Sequence, residues 1–300
     1  MSLATGVMRD DKNDVELLNY SNYTKAKHFN VKRIERGIFM RAIILAGGKG
    51  TRLQPYTTIL PKPLMPVNQQ SIVEIVIRQL KHHGFNHITL ALGHLAHLVK
   101  AVLGNGNHLD VKIDYSLERV PLGTSGPLSL IPDLDDTFLV MNGDILSDLD
   151  FKDMLQFHRE RQAVATIAVH RRKVHIDYGV LHRKEYRLLK YEEKPTIDYE
   201  VSTGIYIFQR EVINYIHPGA YLDFPELVKM LMHDERPVMC YPFDGIWFDL
   251  GRVEDFQYVQ ERIDALEESI PFLSPNGNHD VTRDYHVHTS TCREEQRYEA

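Results

Sequence analysis

The chain has 300 residues, 43% hydrophobic and 25% charged, with a formal net charge of −6 from 35 basic and 41 acidic residues. That apolar supply suffices for a core without metal or disulfide support, and two far-separated cysteines, Cys240 and Cys292, offer neither a disulfide framework nor a clustered zinc site. The acidic balance argues against a nucleic-acid polymer as partner, and the absence of an apolar run of about 20 residues argues against a membrane span, making a reducing, cytoplasmic setting the default.

Residues 1–39 are polar, lack a sustained period and read as a leader or linker. Arg41–Ala46 is a nearly continuous apolar run, as expected of a buried parallel strand. A glycine-rich loop follows, then Pro55, Pro61, Pro63 and Pro66, a density that excludes a long regular helix. Ser71–Leu80 has helical spacing, His87–Leu92 reads as a strand, Leu95–Leu103 as a helix and Val111–Tyr115 as a strand. Thr137–Met141 is a central strand running into Asn142-Gly143-Asp144; Phe151–Gln162 is helical and Val164–Val169 extended. Gly204–Phe208 predicts a strand and Phe224–His233 a helix. The apolar period then fades, and residues 269–300 are expected to form a loosely structured tail. Alternating strands and helices predict a Rossmann-like three-layer α/β sandwich with a mostly parallel mixed sheet, occupying residues 40–268.

The densest chemical signal is Leu45-Ala-Gly-Gly-Lys-Gly-Thr-Arg-Leu53. Its glycines permit tight turns and close approach to an anion, and a helix starting after it would add free amides. Arg52 offers directional contacts to phosphate oxygens, Lys49 less directional ones. The spacing is neither that of a P-loop, since Lys49 is followed by Gly50, nor that of a dinucleotide fingerprint. Pro61-Lys62-Pro63 stiffens the backbone around an ammonium that can offset charge during phosphoryl transfer. Asp144 ends a predicted strand, where open α/β sheets bind ligands, and suits Mg²⁺; Asp249, in Trp247-Phe-Asp-Leu-Gly251, is a candidate partner.

These segments, with Glu118 and Pro121–Thr124, Glu193-Lys-Pro195 and Thr203–Tyr206, occur in one order that resembles the sugar-1-phosphate nucleotidylyltransferase family over about residues 41–265. The resemblance implies an enzyme with a smaller sugar-binding portion that takes a nucleoside triphosphate and a sugar 1-phosphate. It implies that Leu45, Gly47, Gly48, Gly50 and Thr51 form the triphosphate loop, with Glu118, Leu122 and Gly123 beside the nucleoside. Arg52, Lys62 and Asp144 become catalytic candidates, Asp144 and Asp249 the Mg²⁺ ligands, and Gly179, Glu193, Lys194 and Thr203 the sugar-binding candidates.

Pro63–Pro66 and Asp177–Val180 look closest to mannose-1-phosphate guanylyltransferases, hence GTP with mannose 1-phosphate. CTP or dTTP with glucose 1-phosphate, a heptose 1-phosphate, or a catalytically quiet sensor are the alternatives. A homodimer is compatible with the sequence. Histidines 94, 97 and 158 are expected to pack or face solvent, His286, His288 and Cys292 to be incidental, and Cys240 to be buried.

Overall fold

The structure, a computed structural model, describes residues 41–273, all within one compact unit. The expected leader, the tail from residue 274, and His286, His288 and Cys292 lie outside the described residues. In chain order the elements begin with β1 (Arg41–Ala46), β2 (Pro66–Val67), β3 (Gln70–Ser71), α1 (Ile72–His82), β4 (His87–Leu92), α2 (Ala96–Leu103) and β5 (Lys112–Leu117). They continue with β6 (Thr137–Asn142), β7 (Ile145–Ser147), α3 (Phe151–Glu160), β8 (Ala165–His175), β9 (Val180–Lys184), β10 (Arg187–Glu192) and β11 (Thr196–Gln209). The last are α4 (Phe224–His233), β12 (Val238–Phe243), β13 (Trp247–Asp249), α5 (Val253–Glu261) and α6 (Ile263–Ser269).

Seven strands form the central sheet in the order β12-β8-β11-β6-β1-β4-β5. β6, β1, β4 and β5 run parallel, while β11 is antiparallel to both β6 and β8. This is the mixed, largely parallel α/β fold expected. Along β1 the side chains divide between the two faces: Ala42, Ile44 and Ala46 join one core cluster and Ile43 another. The first cluster takes the buried faces of α1, α2 and α3, and the second that of α4. Both faces of the sheet are thereby covered, which explains why its central strands read as continuous apolar runs.

Local chemistry fixes the helix starts. The Ser71 hydroxyl accepts from the Glu74 N–H while the Glu74 carboxylate takes the Ser71 N–H, a reciprocal cap on α1. Asp150 caps α3 through the Lys152 and Asp153 N–H groups, and its hydrogen bond from His83 helps hold its carboxyl down at about 2. Buried His158 lies between Thr166 Oγ1, 2.8 Å away, and Gln209 Nε2, 3.0 Å away.

Three findings depart from the sequence expectations. Cys240 is exposed, because β12 is an edge strand and Cys240 lies on it beyond Val238, which packs against the second cluster. β8 and β11 run well past their predicted ends, and their outer halves, with the β9–β10 hairpin, are mostly exposed. Residues just after 268 are anchored: Ile270, Phe272 and Leu273 are buried in a third cluster with α1 and α5 side chains. Among the described residues no helix is long and apolar enough to cross a membrane.

Candidate active site

The strands β1, β4, β5 and β6 end on the same side of the sheet, and a cleft of about 700 Å³ opens there. The residues following those four strands line it: Gly47 and Gly48, Gly93 and His94, Glu118 and Arg119, Gly143 and Asp144. The position is the one that parallel topology leaves open for a ligand.

The glycine-rich loop enters no regular helix. Gly50 has φ +65°, and its carbonyl accepts from the Leu53 N–H at 3.0 Å and the Thr57 hydroxyl at 2.7 Å, starting a single 3₁₀ turn at Thr51–Leu53. An L side chain there would be strained and would press on Thr57 and Lys62. Further 3₁₀ turns at Tyr56–Thr58 and Lys62–Leu64 carry the proline-rich path into the cleft. Extended Pro61 and buried Pro63 flank Lys62, so its backbone is set before its side chain meets a ligand.

Four groups converge at and beside the floor, Lys62 and Asp144 on the cleft lining and Arg52 and Asp249 off it. Lys62 Nζ pairs with Asp144 Oδ2, both side chains being largely buried. Asp249 arrives from far along the chain because β13 pairs antiparallel with β7, setting Asp249 opposite Ile145, and the Leu250 N–H donates to the Asp144 carbonyl at 2.9 Å. Arg52 Nη1 lies 3.5 Å from Asp249 Oδ2. Gly251 closes the ring: a Cβ placed on it would meet Lys62 Nζ, Asp144 Oδ2 at 2.6 Å and Asp249 Oδ1 at 2.8 Å. The two carboxylates therefore face one small space that glycine leaves open.

Burial pulls the Lys62 ammonium down to about 8; Asp249 opposes that shift and Arg52 adds to it. The lysine remains charged at neutral pH. Among the described residues no three His, Cys, Asp or Glu side chains gather as a metal cage. Two hard carboxylate oxygens facing one gap nevertheless fit a Mg²⁺ ion that draws its other ligands from phosphates and water.

The remaining candidates divide. Leu45, Gly47, Gly48, Lys62, Glu118, Gly123 and Asp144 line the cleft, whereas Gly50, Thr51, Arg52, Leu122 and Asp249 are not on its lining. The Glu118 carboxylate lies against Gly47 and Gly93 and accepts the Leu122 N–H at 3.1 Å. Thr203 is buried, its hydroxyl donating to the Ala168 carbonyl at 2.9 Å. Gly179 and Glu193 meet around Tyr191, whose hydroxyl donates to Glu193 at 2.6 Å, and exposed Lys194 has φ +44°. Those three sit at the β9–β10 hairpin rather than on the cleft lining. Tyr221 and Asp223 do line the cleft, and sequence reasoning missed them. Asp223 accepts the Tyr221 hydroxyl at 2.6 Å from two residues away and the Thr124 N–H at 2.8 Å, the latter a link across 99 residues that no local motif announces.

The nucleotidyl transferase family profile matches residues 41–265. The chain is 36% identical over 238 residues to a UTP–glucose-1-phosphate uridylyltransferase of Synechocystis, covering 72% of this chain and 61% of that relative. It is 34% identical to a mannose-1-phosphate guanylyltransferase catalytic subunit beta of Dictyostelium discoideum, covering 80% and 69%. It thus spans less than two thirds of the Synechocystis relative's length. Among solved structures, HddC from Yersinia pseudotuberculosis shares the fold with a TM-score of 0.59 at 23% identity, over 75% of this chain and 99% of that one.

Proposed function

The chain belongs to the nucleotidyl transferase family, and on that footing we propose that it joins a nucleoside triphosphate to a sugar 1-phosphate, giving a nucleoside diphosphate sugar and pyrophosphate. The observation that carries this is the convergence of Lys62, Asp144 and Asp249 on Gly251, beside the glycine loop and at the ends of four strands. A sugar-phosphate oxygen attacks the α-phosphorus of the triphosphate, the α–β bridging bond breaks, and pyrophosphate departs on the opposite side.

No protein nucleophile is needed; the protein's task is alignment and charge. Gly47 and Gly48 let the backbone approach the phosphates, Arg52 grips them, and Lys62 offsets the negative charge that crowds the reacting phosphoryl group. Asp144 and Asp249 are the residues to hold Mg²⁺, which supplies electrostatic stabilisation of the phosphate oxygens. Glu118, Leu122 and Gly123 flank the nucleoside. Gly179, Glu193, Lys194 and Thr203 form the sugar side, Lys194 contacting the sugar phosphate and Glu193 the hydroxyls.

The favoured pair is GTP and mannose 1-phosphate, in keeping with the name of the Dictyostelium relative. UTP with glucose 1-phosphate is the second reading, favoured by the name of the Synechocystis relative. Pyrophosphate release across a matrix of nucleoside triphosphates and sugar 1-phosphates, with Mg²⁺, tests both. Highest kcat/KM for GTP with mannose 1-phosphate is the expected result. Nucleotide binding without product from any pair sinks the enzymatic reading and leaves a sensor.

A further inference from the structure

Asp249 has a partner at every polar atom, and two of these partners, Arg52 and Asp255, lie outside its own turn. Its carbonyl accepts the Arg252 N–H at 2.9 Å, and its Oδ1 accepts the Gly251 N–H at 2.9 Å. Its Oδ2 faces Arg52, whose side chain is 63% exposed, so this oxygen has the partner most easily drawn away. The remaining group, the Asp249 N–H, donates to Asp255 Oδ2 at 3.0 Å.

Asp255 lies in the first turn of α5 with its carboxylate only 14% exposed. The same Oδ2 accepts from Arg172 Nη2 at 3.4 Å. Arg172 stands on the outer half of β8, its guanidinium 4.8 Å from the centre of the Trp247 ring. The indole is pinned in turn, donating its N–H to the Thr203 carbonyl on β11 at 3.1 Å. Trp247 and Asp249 are two residues apart on β13 and so share a face. A hydrogen bond to the main chain and a stacked guanidinium thus fix both ends of the strand that carries Asp249. Neither Asp255 nor Arg172 lines the cleft.

We infer that Asp255, itself oriented by Arg172, is a positioning residue that holds Asp249 in register for the divalent ion. This rests on the reading of Asp249 as a metal carboxylate. Asp255 sets where the β13 backbone stops, and thereby the distance between the Asp249 and Asp144 carboxylates. Arg172 holds the Asp255 carboxylate in place from the β8–β11 extension, the part of the fold that reaches toward the sugar candidates.

The test is titration of protein into Mn²⁺–GTP, without sugar phosphate, read by water-proton relaxation enhancement, with kcat and KM measured alongside. Asp255→Ala should weaken binding of the Mn²⁺–GTP complex about 10-fold, the range for groups that orient metal ligands, and lower kcat while leaving the KM for the sugar phosphate unchanged. Asp255→Asn keeps an oxygen that can accept the Asp249 N–H and should recover to within about 3-fold of wild type, a rescue not expected if only the ion pair with Arg172 mattered. Asp249→Ala is the control. If it binds Mn²⁺–GTP as wild type does, the functional reading of Asp249 falls and the positioning role goes with it. Weak binding by Asp249→Ala, with Asp255→Ala within twofold of wild type and altered only in melting point, overturns the positioning role alone.

Discussion

The floor of the cleft and the β9–β10 hairpin both carry residues assigned to the reaction, but they are built by opposite means. At the floor, β1, β6, β7 and β13 fix the backbone, Lys62 and Asp144 are largely buried against each other, and Asp249 is bonded at each polar atom. At the hairpin, Glu193 is bonded by Tyr191 two residues away, and Lys194 is exposed. Main-chain pairing presets the part that must not move while charge redistributes. The part proposed to meet the sugar keeps open geometry, which leaves contact with a ligand to complete it.

That contrast breaks most decisively at Lys62. Lys62→Ala leaves two facing carboxylates without their nearest cation and should lower kcat by about 10²- to 10³-fold. Circular dichroism should show the fold intact, since Lys62 sits on a 3₁₀ turn outside the sheet. Turnover within threefold of wild type would remove Lys62 from the reaction.

Gly251→Ala probes the same floor without deleting a charge. The atoms nearest the new methyl are the side-chain ends of Lys62, Asp144 and Asp249 rather than backbone, so the chain should fold while those ends are forced apart. A loss of about 10²-fold in kcat is expected, the cost of misplacing reacting groups by about 1 Å. Wild-type turnover would mean that the observed convergence is not the working arrangement.

The two regions were also unequally legible. Arg41–Ala46, His87–Leu92 and Phe224–His233 announce themselves by apolar pattern, and the structure keeps those bounds because each element is buried against a core cluster. Asp144 was readable as a strand-end carboxylate. The outer halves of β8 and β11 were not, since exposed strands place no apolar demand on alternate positions. Short β7 and β13 escaped for another reason. Three residues carry too little pattern, yet their pairing alone brings Asp249 beside Asp144. Asp255, Asp223 and Gly251 matter through partners distant in the chain or crowded around one point, and such neighbours have no sequence period.

Lys194→Ala sharpens the contrast from the hairpin side. Its exposure predicts a melting point within about 1 °C of wild type, as surface substitutions seldom exceed 0.5 kcal/mol. The KM for the sugar phosphate should rise about 10-fold with the KM for the nucleotide unchanged, the signature of lost ground-state binding. An increase confined to the nucleotide KM would move Lys194 out of the sugar side.

The smallest effect lies beneath the sheet, where rigidity has a pH signature that the hairpin lacks. The Gln209 amide donates to His158 Nε2 and spends its oxygen on the Thr137 hydroxyl, leaving the ring neutral with Nδ1–H donating to Thr166. Burial, aided by Arg159, lowers this histidine from 6.5 to about 4. The unfolded chain therefore takes up a proton between those values and the folded chain does not. His158 contributes its full stability above pH 6.5 and loses it progressively as pH falls toward 4, with no further loss below. Urea unfolding at pH 7 and pH 5 should show wild type losing about 2 kcal/mol more than His158→Gln, which cannot charge. Equal losses in the two proteins would mean that the ring protonates in place, and that the body under the cleft is less rigid than its hydrogen bonds imply.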